Sequence, residues 1–399
     1  MQLVERHVAI NNTAIENICF KSARLYNFVN YHKRQAFFGK QEKFTEYEIS
    51  GLCNEFDQSD FRNLPAQSAQ QVIKQVFKSW KSYFAALKEF KKNPKGFTGK
   101  PKPPKYKDKT GHGVTYFTNQ QINLKDGYVH FPKITGLEPI KTKVTKVNQV
   151  RIVPQSTCFV IEIVYEINEQ ALKPDNQNVL ALDLGVSNLV AAIDTVGNKP
   201  FLINGGRIKS VNNYFNKTNA MLMSYVGNKG TSNRIKRLTH KRNCIIQDMM
   251  HKTSRYIVNY CIDNEINTIV IGHNKGWKDE VNLGKKTNQK FVCIPHSTLI
   301  CMVQYKARMA GINVKENNES HTSKCDHLAL EPICHQRKYL GKRVKRGLFQ
   351  SSTGKLLNAD VNGGLGILLK SNVIRNAKGF ISTLLDNGLA FNPVKINIS

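Results

Sequence analysis

Acidic residues are scarce in this 399-residue chain: 29 Asp plus Glu stand against 59 Lys plus Arg, a formal net charge of +30. A protein so short of anions does not suit an anionic partner-free surface; its natural counterpart is a large polyanion. Long apolar runs are also missing. No stretch of about 18 apolar residues exists to cross a bilayer, and the opening MQLVERHVAI has no basic-then-apolar segment that would export it, so the expectation is a cytoplasmic protein, nucleoid-associated when bound to DNA, with no membrane partner. The nine cysteines are scattered, odd in number and without a CxxC pair, a poor match to a secreted disulfide framework. Tryptophan is down to two, Trp80 and Trp277.

What is present is enough hydrophobic sequence, 40%, for a sizeable core in two or three domains. Val4, Val8 and Ile10 share one parity and Glu5 and His7 the other, which predicts an opening strand. A helix is predicted where Ala69, Val72, Ile73, Val76, Phe77, Trp80, Phe84 and Leu87 recur at helical spacing. Residues 88 to 109 then carry nine Lys and four Pro, too many prolines for a regular helix. That segment is either a solvated linker or an arm tracking phosphates, with Phe90, Phe97 and Tyr106 available to stack on bases. Short β-type runs follow from about 114 to 168. Together they predict a small β-barrel or twisted sheet built from 1–11 and 111–178, with a helical recognition insertion over 12–110.

The second half has a different texture. VLALDLGV (179 to 186) is a buried-type strand with one acid, Asp183, and with LVAAID it reads as a hairpin. A carboxylate inside an apolar strand is costly unless it is paired, hydrogen-bonded or bound to metal. Near the other end, Asp360 opens the helical run ADVNGGLGILLK, where capping would also explain it. Between them, Thr268 to Ile271 form a further strand, and NRIKRLTHKRN (233 to 243) opens a basic helix. Strand-borne Asp, hairpin, basic helical crossover, strand and late helix with a second Asp follow the order of a ribonuclease H-like nuclease core, α/β in class. Its sites cluster carboxylates because hard Mg²⁺ selects oxygen ligands and two such ions flank the scissile phosphate.

These segments resemble the TnpB (OrfB) family of transposon-encoded RNA-guided DNA endonucleases, relatives of type V CRISPR effectors. ALDLGVSNL (181 to 189) is similar to the first RuvC motif and ADVNGGLGIL (359 to 368) to the third; TIVIGHNKGWK, ESHTSK, LPAQSAQQVIKQVFKSWKSYF and PKPPKYK extend the likeness over nearly the whole chain. The common second motif places a Glu where this chain has Gly272. In the branch it resembles, the acid is relocated, which points to Glu319, with Glu280 as the alternative third acid. The resemblance implies a RuvC-like nuclease domain over 179–321 and 351–399, with Asp183, Glu319 and Asp360 holding two Mg²⁺ ions, Mn²⁺ substituting. It implies a guide RNA, transposon-end-derived omega RNA, and target double-stranded DNA cut beside a short transposon-associated motif.

A zinc ribbon stands between the second and third motifs in many members, but residues 322–350 offer only Cys325, His327, Cys334 and His335. This spacing tells against zinc. The segment reads instead as a basic insertion that binds target nucleic acid. Candidate contacts to nucleic acid are Trp80, Lys81, Lys100, Lys102, Lys105, Tyr106, Arg234, Lys236, Arg237, Lys241, Arg242, Trp277, Lys278, Lys342, Arg343, Lys345 and Arg346. Packing is the alternative for Trp277, and surface or capping roles for His273 and His296. Two other functions fit parts of the pattern: a nuclease-inactive RNA-guided repressor, and an unguided transposition-associated DNA-binding protein.

Overall fold

A computed structural model describes residues 1–10, 12–40, 42–227, 230–274, 293–388 and 391–398. Trp277, Lys278 and Glu280 therefore lie outside the described residues. The chain divides into two compact units, Met1–Asn168 and Glu169–Ser399. Among the described residues no helix is long and apolar enough to cross a membrane.

In the first unit, strand β1 (Gln2–Ala9) is followed by helices α1 (Thr13–Phe37), α2 (Glu46–Glu55), α3 (Ser59–Arg62) and α4 (Ala66–Lys92) before the chain returns to β structure at β2 (Thr115–Thr118). Helices α1 and α2 start where side chains satisfy their free N–H groups: Asn12 accepts from Ile15 N at α1, and Thr45 and Glu48 form a reciprocal capping box at α2. Ala69, Val72, Ile73, Val76 and Trp80 bury the predicted stripe of α4, but Phe84 stays 48% exposed. A small sheet, β3 (Asn123–Lys125), β4 (Tyr128–His130) and β5 (Ile140–Lys141), precedes β6 (Gln149–Pro154) and β7 (Phe159–Glu166).

The expected barrel is an open sheet. Its order is β1-β7-β6-β2, all antiparallel, and β1 and β2 remain its edges. Four strands are too few to wrap a filled interior; Phe117, Val150, Ile152 and Ile163 instead share one core with α1 and α4. The parity of β1 is also the reverse of a simple apolar-in reading. Val4 and Val8 are exposed, and Leu3, Glu5, His7 and Ala9 face inward. Glu5 is satisfied there by His7 Nε2 at 2.6 Å and by the Thr142 hydroxyl at 3.0 Å, so a polar pair can occupy the covered face without an orphaned charge.

In the second unit a six-stranded sheet runs in the order β12-β11-β8-β9-β10-β16. Its members are β8 (Val179–Leu184), β9 (Asn188–Asp194), β10 (Phe201–Asn204), β11 (Thr268–Gly272), β12 (Asn313–Asn317) and β16 (Val394–Ile396). β8, β9 and β10 form an antiparallel meander, while β11 and β12 lie parallel to β8 on its other side. That 3-2-1-4-5 order is the ribonuclease H-like core anticipated from the sequence. Helices α5 (Gly206–Val226), α6 (Asn233–Asp263) and α7 (His296–Met309) are joined on the far side by α8 (Ala359–Lys370) and α9 (Ala377–Asp386). Residues 169–178 belong to this unit because Lys173 N bonds Gly311 O, and Asn176 and Asn178 bond Glu265 O.

Alternation along β8 decides what each face meets. Leu180, Leu182 and Leu184 pack into the core with α6 and α7, and Val179 and Ala181 pack with α8. Asp183 has the parity of the second set. Residues 342–358 form a three-stranded ribbon of β13 (Lys342–Lys345), β14 (Leu348–Gln350) and β15 (Leu356–Asn358), which runs directly into α8.

Candidate active site

Parity directs Asp183 toward α8, and glycine lets α8 come close. At Gly363 a Cβ would collide with the Asp183 Oδ2 atom, so any other residue here would push the helix or the carboxylate away. One turn earlier lies Asp360. Its expected capping role belongs to Asn358, whose Oδ1 accepts from Asp360 N at 2.9 Å and Val361 N at 3.3 Å. The Asp360 carboxylate is thereby released from the helix end. Its Oδ2 accepts from Asn188 Nδ2 at 2.7 Å, and its Oδ1 lies 3.5 Å from Arg343 Nη2.

Glu319 enters from a third element. It follows β12 by two residues, its N–H donates to Asn274 Oδ1 at 3.1 Å, and its carbonyl accepts from the Thr322 hydroxyl at 2.8 Å. Parallel pairing sets the end of β11 beside the end of β12, with Gly272 opposite Asn317. A Cβ at Gly272 would lie 3.1 Å from Glu319 Oε2 and would press into Ile367. The Glu319 carboxylate thus occupies the space that a side chain at position 272 would enter.

Electrostatics record the clustering. Burial, followed by the nearby Glu319 and Asp360 carboxylates, pushes the Asp183 carboxyl up from 3.8 to about 8, with Arg343 opposing. Burial also raises Glu319, offset by His273. All three side chains stay partly open, as a site for a bulky substrate requires. Among the described residues no three His, Cys, Asp or Glu side chains converge as a ready metal cage; Asp360 is turned to Asn188 and Arg343. The donor set is nonetheless all carboxylate oxygen, the chemistry that suits Mg²⁺ and Mn²⁺.

This cluster carries a pH dependence. Because Asp183 holds its proton more tightly in the folded chain, the folded state binds more protons than the unfolded state between about pH 4 and pH 8, and stability falls as pH rises through that window. Metal binding needs the anion and strengthens over the same range. Melting temperatures measured in chelator should therefore drop from pH 5 to pH 8, and Asp183→Asn should flatten the slope. An unchanged slope in that variant would refute the assignment.

Two arginines of the basic ribbon reach the site. Arg343 meets Asp360, and Arg346 Nη2 donates to Ser187 Oγ at 2.9 Å, while Lys342 and Lys345 remain exposed. The four candidate zinc donors are engaged separately. Cys325 Sγ donates to Pro332 O and Cys334 O, His327 Nε2 meets Thr322 O at 2.6 Å, Cys334 is exposed, and the His335 ring faces His321. Buried Asp326 ties the segment together by accepting from Ser351 Oγ, Ser352 N and Ser352 Oγ at 2.7–2.9 Å. Glu331 accepts from Asp326 N at 2.7 Å and Leu340 N at 3.0 Å.

The remaining candidates divide. Trp80 is only 2% exposed and donates its indole N–H to Asn30 Oδ1 at 2.9 Å, so it is a packing residue. Asn30 in turn holds the carbonyls of Pro104 and Lys105, and Arg34 also bonds Pro104 O. The Lys- and Pro-rich arm is therefore pinned to α1 over 104–107, and Lys81, Lys100, Lys102, Lys105 and Tyr106 remain exposed. On α6, Arg234, Arg237 and Lys241 are exposed and Lys236 half-buried. Arg242 is committed to Asn212, Asn243 and the Cys293 carbonyl. His296, expected in a surface or capping role, is fully buried, with Nε2 3.0 Å from Gly185 O. Sequence reasoning passed over Asn188, Asn274 and Asn358. Only Asn358 had a readable signal, an Asn directly before an apolar helical run.

A family model for OrfB_IS605, described as a probable transposase, matches residues 162–278, and one for the Cas12f1-like TNB domain matches residues 296–367. A TnpB-like protein, ORF457, of Acidianus two-tailed virus is 22% identical over 427 aligned positions, covering 92% of this chain and 85% of that protein. Among solved structures, a Cas12f1–sgRNA–target DNA complex is similar at 14% identity and a TM-score of 0.38, over 94% of this chain and 100% of that one. The mini RNA-guided endonuclease CRISPR-Cas_phi3 is similar at 12% identity and a TM-score of 0.46, over 94% and 92%.

Proposed function

The chain is a TnpB-family protein, and from that premise we propose that it is an RNA-guided DNA endonuclease that hydrolyses target DNA beside a short transposon-associated motif. The observation that carries the reading is the Glu319 carboxylate standing where Gly272 lacks a side chain. A chain that had lost its second acid for good would have no reason to bring another carboxylate to the same place, near enough to raise Asp183.

Asp183, Glu319 and Asp360 would hold two Mg²⁺ ions, which when bound polarise the phosphodiester, supply the hydrolytic water as a nucleophile near neutral pH and stabilise the leaving oxygen. The chain's own residues do the rest. Asn188 fixes the rotamer of Asp360 through one oxygen, and Asn358 keeps that carboxylate from turning back to cap α8. Gly363 keeps Asp183 and the helix in contact. Arg343 supplies positive charge beside the acids, where a scissile phosphate would add negative charge. No side chain is required as a covalent nucleophile. Zinc has no part in this reading, since the insertion closes on Asp326 and Glu331. Sequence recognition would rest on base pairing by a transposon-end-derived omega RNA, with protein contacts going mainly to backbones.

The test is to express the chain with its native flanking DNA, purify it through high salt and sequence the bound RNA. One dominant structured RNA with a variable end, supporting Mg²⁺-dependent cutting of matched DNA, is the expected result. The same RNA with tight DNA binding and no cutting would establish the repressor instead. Random transcripts or none would leave an unguided DNA-binding protein.

A further inference from the structure

Helices α5 and α6 lie against each other in the second unit and line an open apolar groove of about 220 Å³. Its wall comes from Val211, Tyr214 and Phe215 on α5 and from Leu238 and Ile245 on α6, with Lys241 at its rim. The spacings i, i+3, i+4 on one helix and i, i+7 on the other turn these residues to the shared groove. Phe215 is held in place by the Arg242 guanidinium, 5.7 Å from its ring centre and itself fixed by Asn212 and the Cys293 carbonyl. Tyr214, by contrast, is 66% exposed and forms the open lip.

The stretch of chain that builds this groove is strongly cationic. From residue 195 to residue 247 there is no Asp or Glu and there are ten Lys and Arg, among them Arg207, Lys209, Lys217, Arg234, Arg237 and Lys241. An apolar slot bordered by aromatic rings and cations fits one ligand chemistry: a planar base stacked on an aromatic face, with its phosphates on the flanking charges. At this size the slot is smaller than the roughly 300–1,000 Å³ of drug-sized sites and takes one ring system rather than a whole nucleotide.

We propose that the α5–α6 groove binds an unstacked nucleobase from a single-stranded loop or bulge of the bound RNA, Tyr214 stacking on it and Lys241 meeting its phosphate. RNA is the source to which the chemistry points, because loops and bulges present bases already unstacked, whereas a base in duplex DNA must first be pulled from its stack at a cost. The slot fixes the RNA to the nuclease unit by stacking that tolerates any base. This inference rests on the RNA-guided reading and deepens it.

The test uses the full chain freed of nucleic acid by nuclease and high salt, and a 12-nucleotide oligoadenylate RNA carrying one 2-aminopurine whose fluorescence reports stacking. Wild-type protein should bind it with a change in that fluorescence. Tyr214→Ala should weaken binding about tenfold, the loss of one stacked base, with the salt dependence unchanged. Leu238→Trp, which fills the slot, should weaken it similarly, and Lys241→Ala should lower the salt slope by about one. Tyr225→Ala, 79% exposed on the same helix and outside the cavity, should bind within twofold of wild type. Unchanged affinity in folded Tyr214→Ala and Leu238→Trp would overturn the slot. In the guide-loaded complex, a Tyr214 photo-cross-link that lands on the displaced DNA strand rather than on the bound RNA would overturn RNA as the source. If the chain retains no cellular RNA and cuts nothing, yet Tyr214→Ala still weakens the 12-mer, the guided-nuclease reading fails and the slot stands.

Discussion

Asp183→Asn, Asp360→Asn and Glu319→Gln are each expected to lower Mg²⁺-dependent DNA cleavage by about 10³-fold or more while leaving RNA retention and DNA binding intact. The magnitude follows from the several kcal/mol that a correctly held divalent ion contributes to the reaction, at about 1.4 kcal/mol per tenfold. All three changes keep the side chain's volume and remove only its charge, so packing against Gly363 and beside Gly272 is preserved. Asp183→Asn should also raise the melting temperature in chelator at pH 8, because burial and two neighbouring carboxylates oppose its charge. A variant that cannot cut but is harder to melt would separate a metal-binding acid from a structural one. If Glu319→Gln cuts normally, the third acid lies elsewhere, and Glu280 is the next to substitute.

Asp326→Ala is expected to destabilise the second unit by about 3 kcal/mol or more. Asp326 is fully buried and accepts from the Ser352 N–H and the Ser351 and Ser352 hydroxyls, so its removal takes away three hydrogen bonds to a buried charged group, a kind worth roughly 1.5–3 kcal/mol where it is shielded from water. For a unit of this size the loss amounts to a fall in Tm of roughly 6–12 °C. Cys334→Ala, at an exposed thiol, should stay within about 0.5 kcal/mol. With Mg²⁺ kept in excess, dialysis against a zinc-selective chelator should leave the transition where it is, since hydrogen bonds rather than thiolates close the segment. A large fall on chelation, matched in Cys334→Ala, would restore a metal to the insertion and sink this account.

Much of the second unit was legible in the residues. Asp183 stood out because an acid in VLALDLGV has no reason to be there unless something binds it, and the hairpin, the parallel strand at Thr268 and the late helix follow local periodicity. The first unit was less legible. β1 was correctly read as a strand, but its exposed Val4 and Val8 and covered Glu5 and His7 reverse the usual pattern, because the Thr142 hydroxyl and a neighbouring ring satisfy the acid. Trp80 looked like a stacking residue for nucleic acid by residue type alone. Its burial depends on Asn30, fifty positions away, accepting the indole N–H. Arg242 likewise reads as one more cation in a basic run, and only its partners show its side chain spent on the protein.

The sequence by itself pointed to a polyanion partner, through net charge; determined the order of strands and helices, through periodicity of 2 and 3.6; and singled out two of the three candidate acids, through the cost of a carboxylate in an apolar run. Those are local or summed properties, which a linear reading can reach. Tertiary structure alone decided that Glu319 fills the space beside Gly272, that Asn358 frees Asp360 from the helix end, and that Arg343 and Arg346 extend from the insertion to the first and third motifs. Each of these is a meeting set by strand register and close packing, and neither leaves a trace in the spacing of residues along the chain.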